Sequence, residues 1–341
     1  MSTIFRPALR SACKARLQLP LGAQRNVVRS ISVTAGQQAK AKKQPLAQTD
    51  PNITVKLPPE PELPSSNPVR RPKRILSTFS LEGKTAIITG GARGLGYVMT
   101  QALVESGADV AIVDLNGEEA TAAAQRLLDH FHKAYPDDMV PKITAHRADV
   151  SDTASVQKTF DEVLAAHGGH IDTLVTSAGF CENFSAHEYP PERMQLLWNV
   201  NVNGTYNFAA TLARHLIAQN KPGSMVFIGS MSGAIVNVPQ PQAPYNASKA
   251  AVRHMAASFA VEWAQHRIRV NCISPGYMLT DLTKKILDER PELGEKWRTL
   301  TPMGKMGSPQ DLMGAVVYLA SDAAGFVTGA ELRVDGGYTT I

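Results

Sequence analysis

An apolar strand pattern, Thr85-Ala86-Ile87-Ile88, runs through Thr89-Gly90-Gly91-Ala92-Arg93-Gly94-Leu95-Gly96 straight into an apolar helix pattern, Tyr97 to Val104. A strand that turns at once into a helix needs backbone unobstructed by Cβ atoms. Gly90 permits the tight turn, Gly94 permits close approach of a ligand, and Gly96 lets helix pack on strand. The helix start, with Arg93 and Leu95 beside it, offers unpaired N–H groups that suit a pyrophosphate. A glycine string alone says little; its strand-to-helix context makes this a dinucleotide fingerprint, one residue off the common spacing.

The remaining chain repeats the same alternation. Strand patterns fall near 85–89, 109–113, 142–146, 171–176, 223–229, 268–273 and 330–334. Helix patterns fall near 95–106, 117–134, 152–167, 191–219, 245–266 and 309–320. Short apolar strands separated by helices predict an α/β fold: a single doubly wound parallel sheet of Rossmann type, seven-stranded, with helices on both faces. Ligands of such sheets bind beyond the carboxyl ends of the strands.

Tyr245 and Lys249 stand four apart at the start of a helix pattern, so phenol and ammonium share one face. A fixed cation there is expected to lower the tyrosine pKa and fit it for proton transfer. Together with the glycine turn, the pair resembles the short-chain dehydrogenase/reductase family over Leu81 to Ile341. By that resemblance Ser230, fifteen residues before Tyr245, hydrogen-bonds the substrate oxygen. Asn201 corresponds to the asparagine that opens a helix for a proton relay; Asn203 is a rival, but the Asn-x-x-Gly spacing selects Asn201. Pro275, Gly276 and Thr280 resemble the turn that holds the nicotinamide carboxamide, and Thr328-Gly329 and Asp335-Gly336-Gly337 flank the last strand. One motif departs: Thr176-Ser177-Ala178-Gly179 stands where many members read Asn-Asn-Ala-Gly. A sheet contact near the adenosine pocket is therefore in doubt, while Ser177, Ala178 and Gly179 still line the cofactor.

The resemblance implies a nicotinamide cofactor. Asp114, ending the second strand 18 residues after Gly96, suits the adenosine ribose hydroxyls and repels a 2′-phosphate, although it could instead cap the next helix. Arg93 favours NADP. Two unit charges near 4 Å interact by about 4 kcal/mol at a surface-like dielectric, so repulsion by Asp114 is expected to dominate and make NAD the cofactor, NADP the alternative. Asp149, after the third strand, matches a residue near the adenine or caps the helix that follows.

The loop between Ser230 and Tyr245 exceeds the commonest family spacing and carries Ser232, Asn237, Gln240 and Gln242. Amides suit a polyhydroxylated substrate, or merely satisfy loop backbone. The loop is similar to that of fungal polyol and ketose reductases acting on arabinitol, mannitol or xylulose, which implies a pair such as D-arabinitol/ribulose. A 3-oxoacyl reductase or 3-hydroxyacyl dehydrogenase is the second reading, and a non-catalytic dinucleotide-binding scaffold the third. A lid is expected over Tyr277–Met306, with Leu279 and Trp297 closing on the nicotinamide.

The net charge of +5 divides unevenly along the 341 residues. Residues 1–49 hold nine basic and no acidic residues, leaving the remainder with 26 basic and 30 acidic. An Arg-rich, acid-free start resembles a mitochondrial transit peptide over 1–35, cut near Ser30 or Ile31, rather than a nucleic-acid arm; cytoplasmic residence is the alternative. Residues 36–80 read as a Pro-rich linker or arm, and 81–341 as the catalytic domain. Cys13, Cys181 and Cys272 are too scattered for a disulfide framework, and Cys181 reads as a buried spectator in preference to a residue lining the active site. No spacing suggests a metal, and the longest uncharged run holds too many polar residues for a membrane span. The expected partners are a small-molecule substrate and further copies of the chain, as tetramer or dimer by the resemblance.

Overall fold

The computed structural model describes residues 74–341. The expected transit segment, most of the Pro-rich arm and Cys13 lie outside the described residues. The fold is one parallel sheet of β1 (Thr85–Thr89), β2 (Asp109–Asp114), β3 (Ile143–Arg147), β4 (Thr173–Thr176), β5 (Gly223–Ile228), β6 (Ile268–Pro275) and β7 (Glu331–Val334), in the order β3-β2-β1-β4-β5-β6-β7. The order reverses between β1 and β4, which opens the crevice where a doubly wound sheet holds its ligand.

Side chains alternate between two cores. Ile87, Leu174, Met225, Phe227, Val270 and Cys272 face one layer, while Ala86, Ile88, Val175, Val226, Ile228 and Ile273 face the other. Fully burying one such Leu, Ile or Phe contributes roughly 1.5–3 kcal/mol, and a one-residue slip would move each strand's set to the wrong layer. Register is therefore strongly specified. The first layer is covered by α3 (Thr153–Ala166), α5 (Gly204–Ala218) and α6 (Ala243–Trp263), the second by α1 (Gly94–Glu105) and α9 (Met313–Ala320). Helix α2 (Gly117–Ala134) packs a smaller cluster onto β2 through Ala120, Ala123 and Leu127.

Two elements differ from their sequence expectation. The helix expected over 191–219 is split into α4 (Pro191–Trp198), a π-helical turn Asn199–Asn203, and α5. The turn accommodates Asn201, whose buried amide binds neighbouring chain segments. The expected lid, Tyr277–Met306, contains two helices, α7 (Asp281–Glu289) and α8 (Pro291–Thr299). Its Trp297 is 3 % exposed and stacks on Tyr277 with centroids 4.3 Å apart, so it anchors the segment from within.

Candidate active site

The glycine turn works as its spacing requires. A Cβ at Gly96 would lie 2.0 Å from the Gly90 carbonyl oxygen, so any side chain there would force the turn apart. Gly94 has φ +55° and nothing within 4 Å of a Cβ position, leaving open space over the start of α1, where Arg93 provides no side-chain cap. That cradle fits a pyrophosphate held by helix N–H groups. Gly90 donates its N–H to the Val113 carbonyl at 2.7 Å, and Ala92 donates to Asp114 Oδ2 at 3.3 Å. Asp114 thus braces the turn. The rival role of helix cap belongs to Asn116, whose Oδ1 accepts from Glu119 N at 3.2 Å.

Beyond β2 opens a cavity of about 690 Å³ lined by Arg93, Asp114, Asn116, Glu118, Glu119 and Arg147, among others. It is large enough for an adenosine. Arg147 ends β3 in register with Asp114, and sequence reasoning passed over it because only strand pairing brings it to the pocket. Asp149 is exposed and accepts from Ser151 N at 2.9 Å, while Asp152 caps α3. At the end of β4, Ser177 N donates to Thr89 O and Ala178 N to Thr89 Oγ1. The doubtful sheet contact shows itself here: the buried Thr176 hydroxyl has no partner among the described residues. Gly276 lies against Asp335, where a Cβ would come within 2.7 Å, and Thr280 caps α7 by accepting from Thr283 N.

Tyr245 occupies the first turn of α6, with Lys249 one turn on. The Lys249 ammonium lies 5.8 Å from the Tyr245 ring centroid and donates to the Ile228 carbonyl at 2.8 Å. Burial lowers the lysine to about 8. Burial also pushes the tyrosine phenol above its ordinary value, and the Ser230 hydroxyl pulls it partly back. The expected lowering of the phenol by Lys249 is therefore corrected: desolvation dominates, and what lowering there is comes from Ser230. Asn201 is 1 % exposed and its amide is fully committed. Its Oδ1 accepts from Phe180 N, and its Nδ2 donates to Phe180 O and Ser248 Oγ, at 3.0, 3.0 and 3.1 Å. Asn201 thereby ties the loop following Gly179 to the helix carrying Lys249.

Ser230 Oγ donates to Ser232 Oγ at 3.0 Å and accepts from Ser232 N at 3.1 Å. Gln242 Nε2 reaches Ser232 Oγ, Asn237 Oδ1 and Asn246 Oδ1 at 3.3, 2.9 and 2.9 Å. The loop amides thus satisfy one another. Cys181 is exposed, which corrects the buried-spectator reading, and its thiol points at Gln242 Oε1 at 3.8 Å. Crowding around its sulfur raises the thiol to about 11, so it stays protonated. The adjacent loop is held by Glu182, which accepts from Tyr189 and Arg193.

A family model described as Enoyl-(Acyl carrier protein) reductase matches residues 90–339. The chain belongs to the short-chain dehydrogenase/reductase family. It is 42 % identical over 268 residues to the D-arabinitol 2-dehydrogenase [ribulose-forming] of Scheffersomyces stipitis, spanning 77 % of this chain and 96 % of that one. The NADH-dependent L-xylulose reductase of Ambrosiozyma monospora is 40 % identical over 78 % of this chain and 98 % of its own. The probable NADP-dependent mannitol dehydrogenase of Yarrowia lipolytica is 38 % identical, over 78 % and 91 %. Among solved structures, a gluconate 5-dehydrogenase from Burkholderia cenocepacia, in complex with NADP and tartrate, superposes with TM-score 0.71 at 34 % identity, covering 79 % of this chain and all of that one. As a short-chain dehydrogenase/reductase, the protein is an NAD(P)-dependent oxidoreductase of the alcohol dehydrogenase type.

Proposed function

We propose that this enzyme interconverts a polyol and a ketose, with D-arabinitol/ribulose the preferred pair and NAD the preferred cofactor. The observation that carries the substrate reading is the unbroken run of hydroxyls and amides from Ser230 through Ser232 and Gln242 to Asn237, which offers a hydroxylated chain partners along its length. An acyl chain offers that network no hydroxyl to bond, and any of its groups turned toward such a chain would be left unpaired, at roughly 1–3 kcal/mol each. The names of the relatives point the same way. Three carboxylates against two guanidinium groups in the adenosine cavity favour a free ribose over a 2′-phosphate.

In the direction of reduction, Tyr245 gives its proton to the carbonyl oxygen while Ser230 turns its own hydroxyl from Ser232 to that oxygen. Lys249 holds positive charge beside the phenol and would bind the cofactor ribose hydroxyls. Asn201 positions the backbone beside both. The nicotinamide cofactor, when bound, supplies or accepts the hydride. Gly90, Gly94 and Gly96 with Arg93 and Leu95 would hold its pyrophosphate, Asp114 its adenosine ribose, and Ala178, Gly179, Pro275, Gly276 and Thr280 its nicotinamide half.

Steady-state assays with NAD and NADP against D-arabinitol, mannitol, sorbitol, xylulose and an acetoacetyl thioester test this reading. NAD-linked oxidation of D-arabinitol with ribulose as product is expected. Faster turnover of the thioester than of every polyol would replace it with an acyl substrate. We also propose import into the mitochondrial matrix and assembly as a homo-oligomer; protein isolated from cells is then expected to begin near Ile31, and an intact Met1 in cytosolic protein would overturn the import.

A further inference from the structure

Tyr277 belongs to the Pro275-Gly276 turn, whose sequence motif marks the nicotinamide side, yet its side chain turns elsewhere. Its hydroxyl accepts from Asn237 Nδ2 at 3.1 Å and from Gln240 Nε2 at 3.3 Å, and stands 3.4 Å from Gln240 Oε1. Its ring is fixed from two sides, stacked on Trp297 at 11° and edge-on to Tyr338 at 5.3 Å. The phenol is thus a rigid post to which the Asn237 end of the loop is tied. From Asn237 the chain continues to Gln242, Ser232 and Ser230. Gln242 has only two amide protons for three oxygens within reach, so the link to Ser232 is set by how firmly Asn237 holds its end.

We propose that Tyr277 is a positioning residue for hydroxyl recognition, fixing Asn237 and through it Gln242, so that the loop meets a polyol with its amides already aimed. This inference rests on the polyol reading of the site. An amide held in one orientation loses less freedom when a substrate hydroxyl takes over its hydrogen bond, so preorganisation appears as tighter substrate binding. Ser230 keeps its own anchor on Ser232 N whatever Tyr277 does, so the chemical step is spared.

The test compares reduction of D-ribulose and 2-pentanone, both five-carbon 2-ketones that differ in hydroxylation, by wild type and by Tyr277→Phe. Phenylalanine keeps the ring against Trp297 and removes only the hydroxyl. KM for D-ribulose is expected to rise about ten-fold, the equivalent of one lost hydrogen bond, with kcat and the 2-pentanone kinetics within about two-fold. Asn237→Ala removes a group that meets the substrate as well as the tie, so its rise in KM for D-ribulose is expected to be at least as large, with the double variant no worse than Asn237→Ala alone. Equal effects on both ketones, or none, overturn the inference while leaving the polyol reading intact. A wild type that prefers 2-pentanone to D-ribulose removes the polyol reading and this inference with it.

Discussion

Proton chemistry at the residue scale is divided between a phenol that burial holds protonated and an ammonium that burial brings down to about 8. Lys249 is consequently the group of the pair that titrates near neutrality. Below about 8 it carries a proton and above it loses one, so kcat/KM for ketone reduction is expected to fall as pH rises through that region, and pH profiles of reduction check the sign. Tyr245→Phe removes the proton donor and is expected to lower the rate by about 10²–10⁴-fold while cofactor binding, followed by fluorescence titration, persists. At the adenosine end Asp114 braces Ala92 and faces Arg93 and Arg147 across one cavity. Asp114→Ser should weaken NAD use and improve NADP use, read as the ratio of kcat/KM values; an unchanged ratio would give the discrimination to the two arginines.

At the scale of elements, the π-helical turn Asn199–Asn203 is the least regular piece of backbone close to the site, and its purpose can be read from its contacts. An unbroken α-helix would carry Asn201 past Phe180; the extra residue in the turn lets one amide bond both backbone groups of Phe180 and also Ser248. Asn201→Ala strands the N–H and carbonyl of Phe180 in a half-buried place. The expected loss is about 1–3 kcal/mol of stability, seen as a lower urea midpoint, together with reduced kcat as Gly179 and Lys249 lose their fixed spacing. Asn201→Asp keeps the acceptor for Phe180 N and should fall between the two.

For the whole molecule, acid sensitivity follows from histidines packed at the β3 edge. His146 and His167 are joined through Thr144 Oγ1 at 2.9 Å from each, and burial lowers both below 6.5, with Glu162 opposing at His146 and Asp109 at His167. Below pH 6.5 the unfolded chain takes up protons that the folded protein refuses. Their contribution is therefore complete above 6.5 and is lost as pH falls through 6.5 toward the folded values. Asp172, raised by burial from 3.8, acts in the opposite sense. Urea midpoints measured from pH 7.5 to 5.5 should fall, and a His146→Gln, His167→Gln double variant should flatten that slope specifically.

Short-range features were legible in the sequence: the glycine turn, the alternation of strand and helix, the seven strands, and the Tyr245/Lys249 face. Each depends on periodicity or on backbone freedom within a few residues, which composition at those positions dictates directly. Tertiary structure decided what depends on distant segments meeting. Pairing of β2 with β3 set Arg147 beside Asp114 in one cavity, and folding brought the thiol of Cys181 to Gln242. The same folding turned Tyr277 away from its own motif onto Asn237, forty positions back in the chain. Burial, a property of the assembled core and not of spacing, also reversed the direction in which the Tyr245 phenol was expected to shift. Charge proximity can be counted along a helix, but desolvation exists only once the remaining chain has closed around the site.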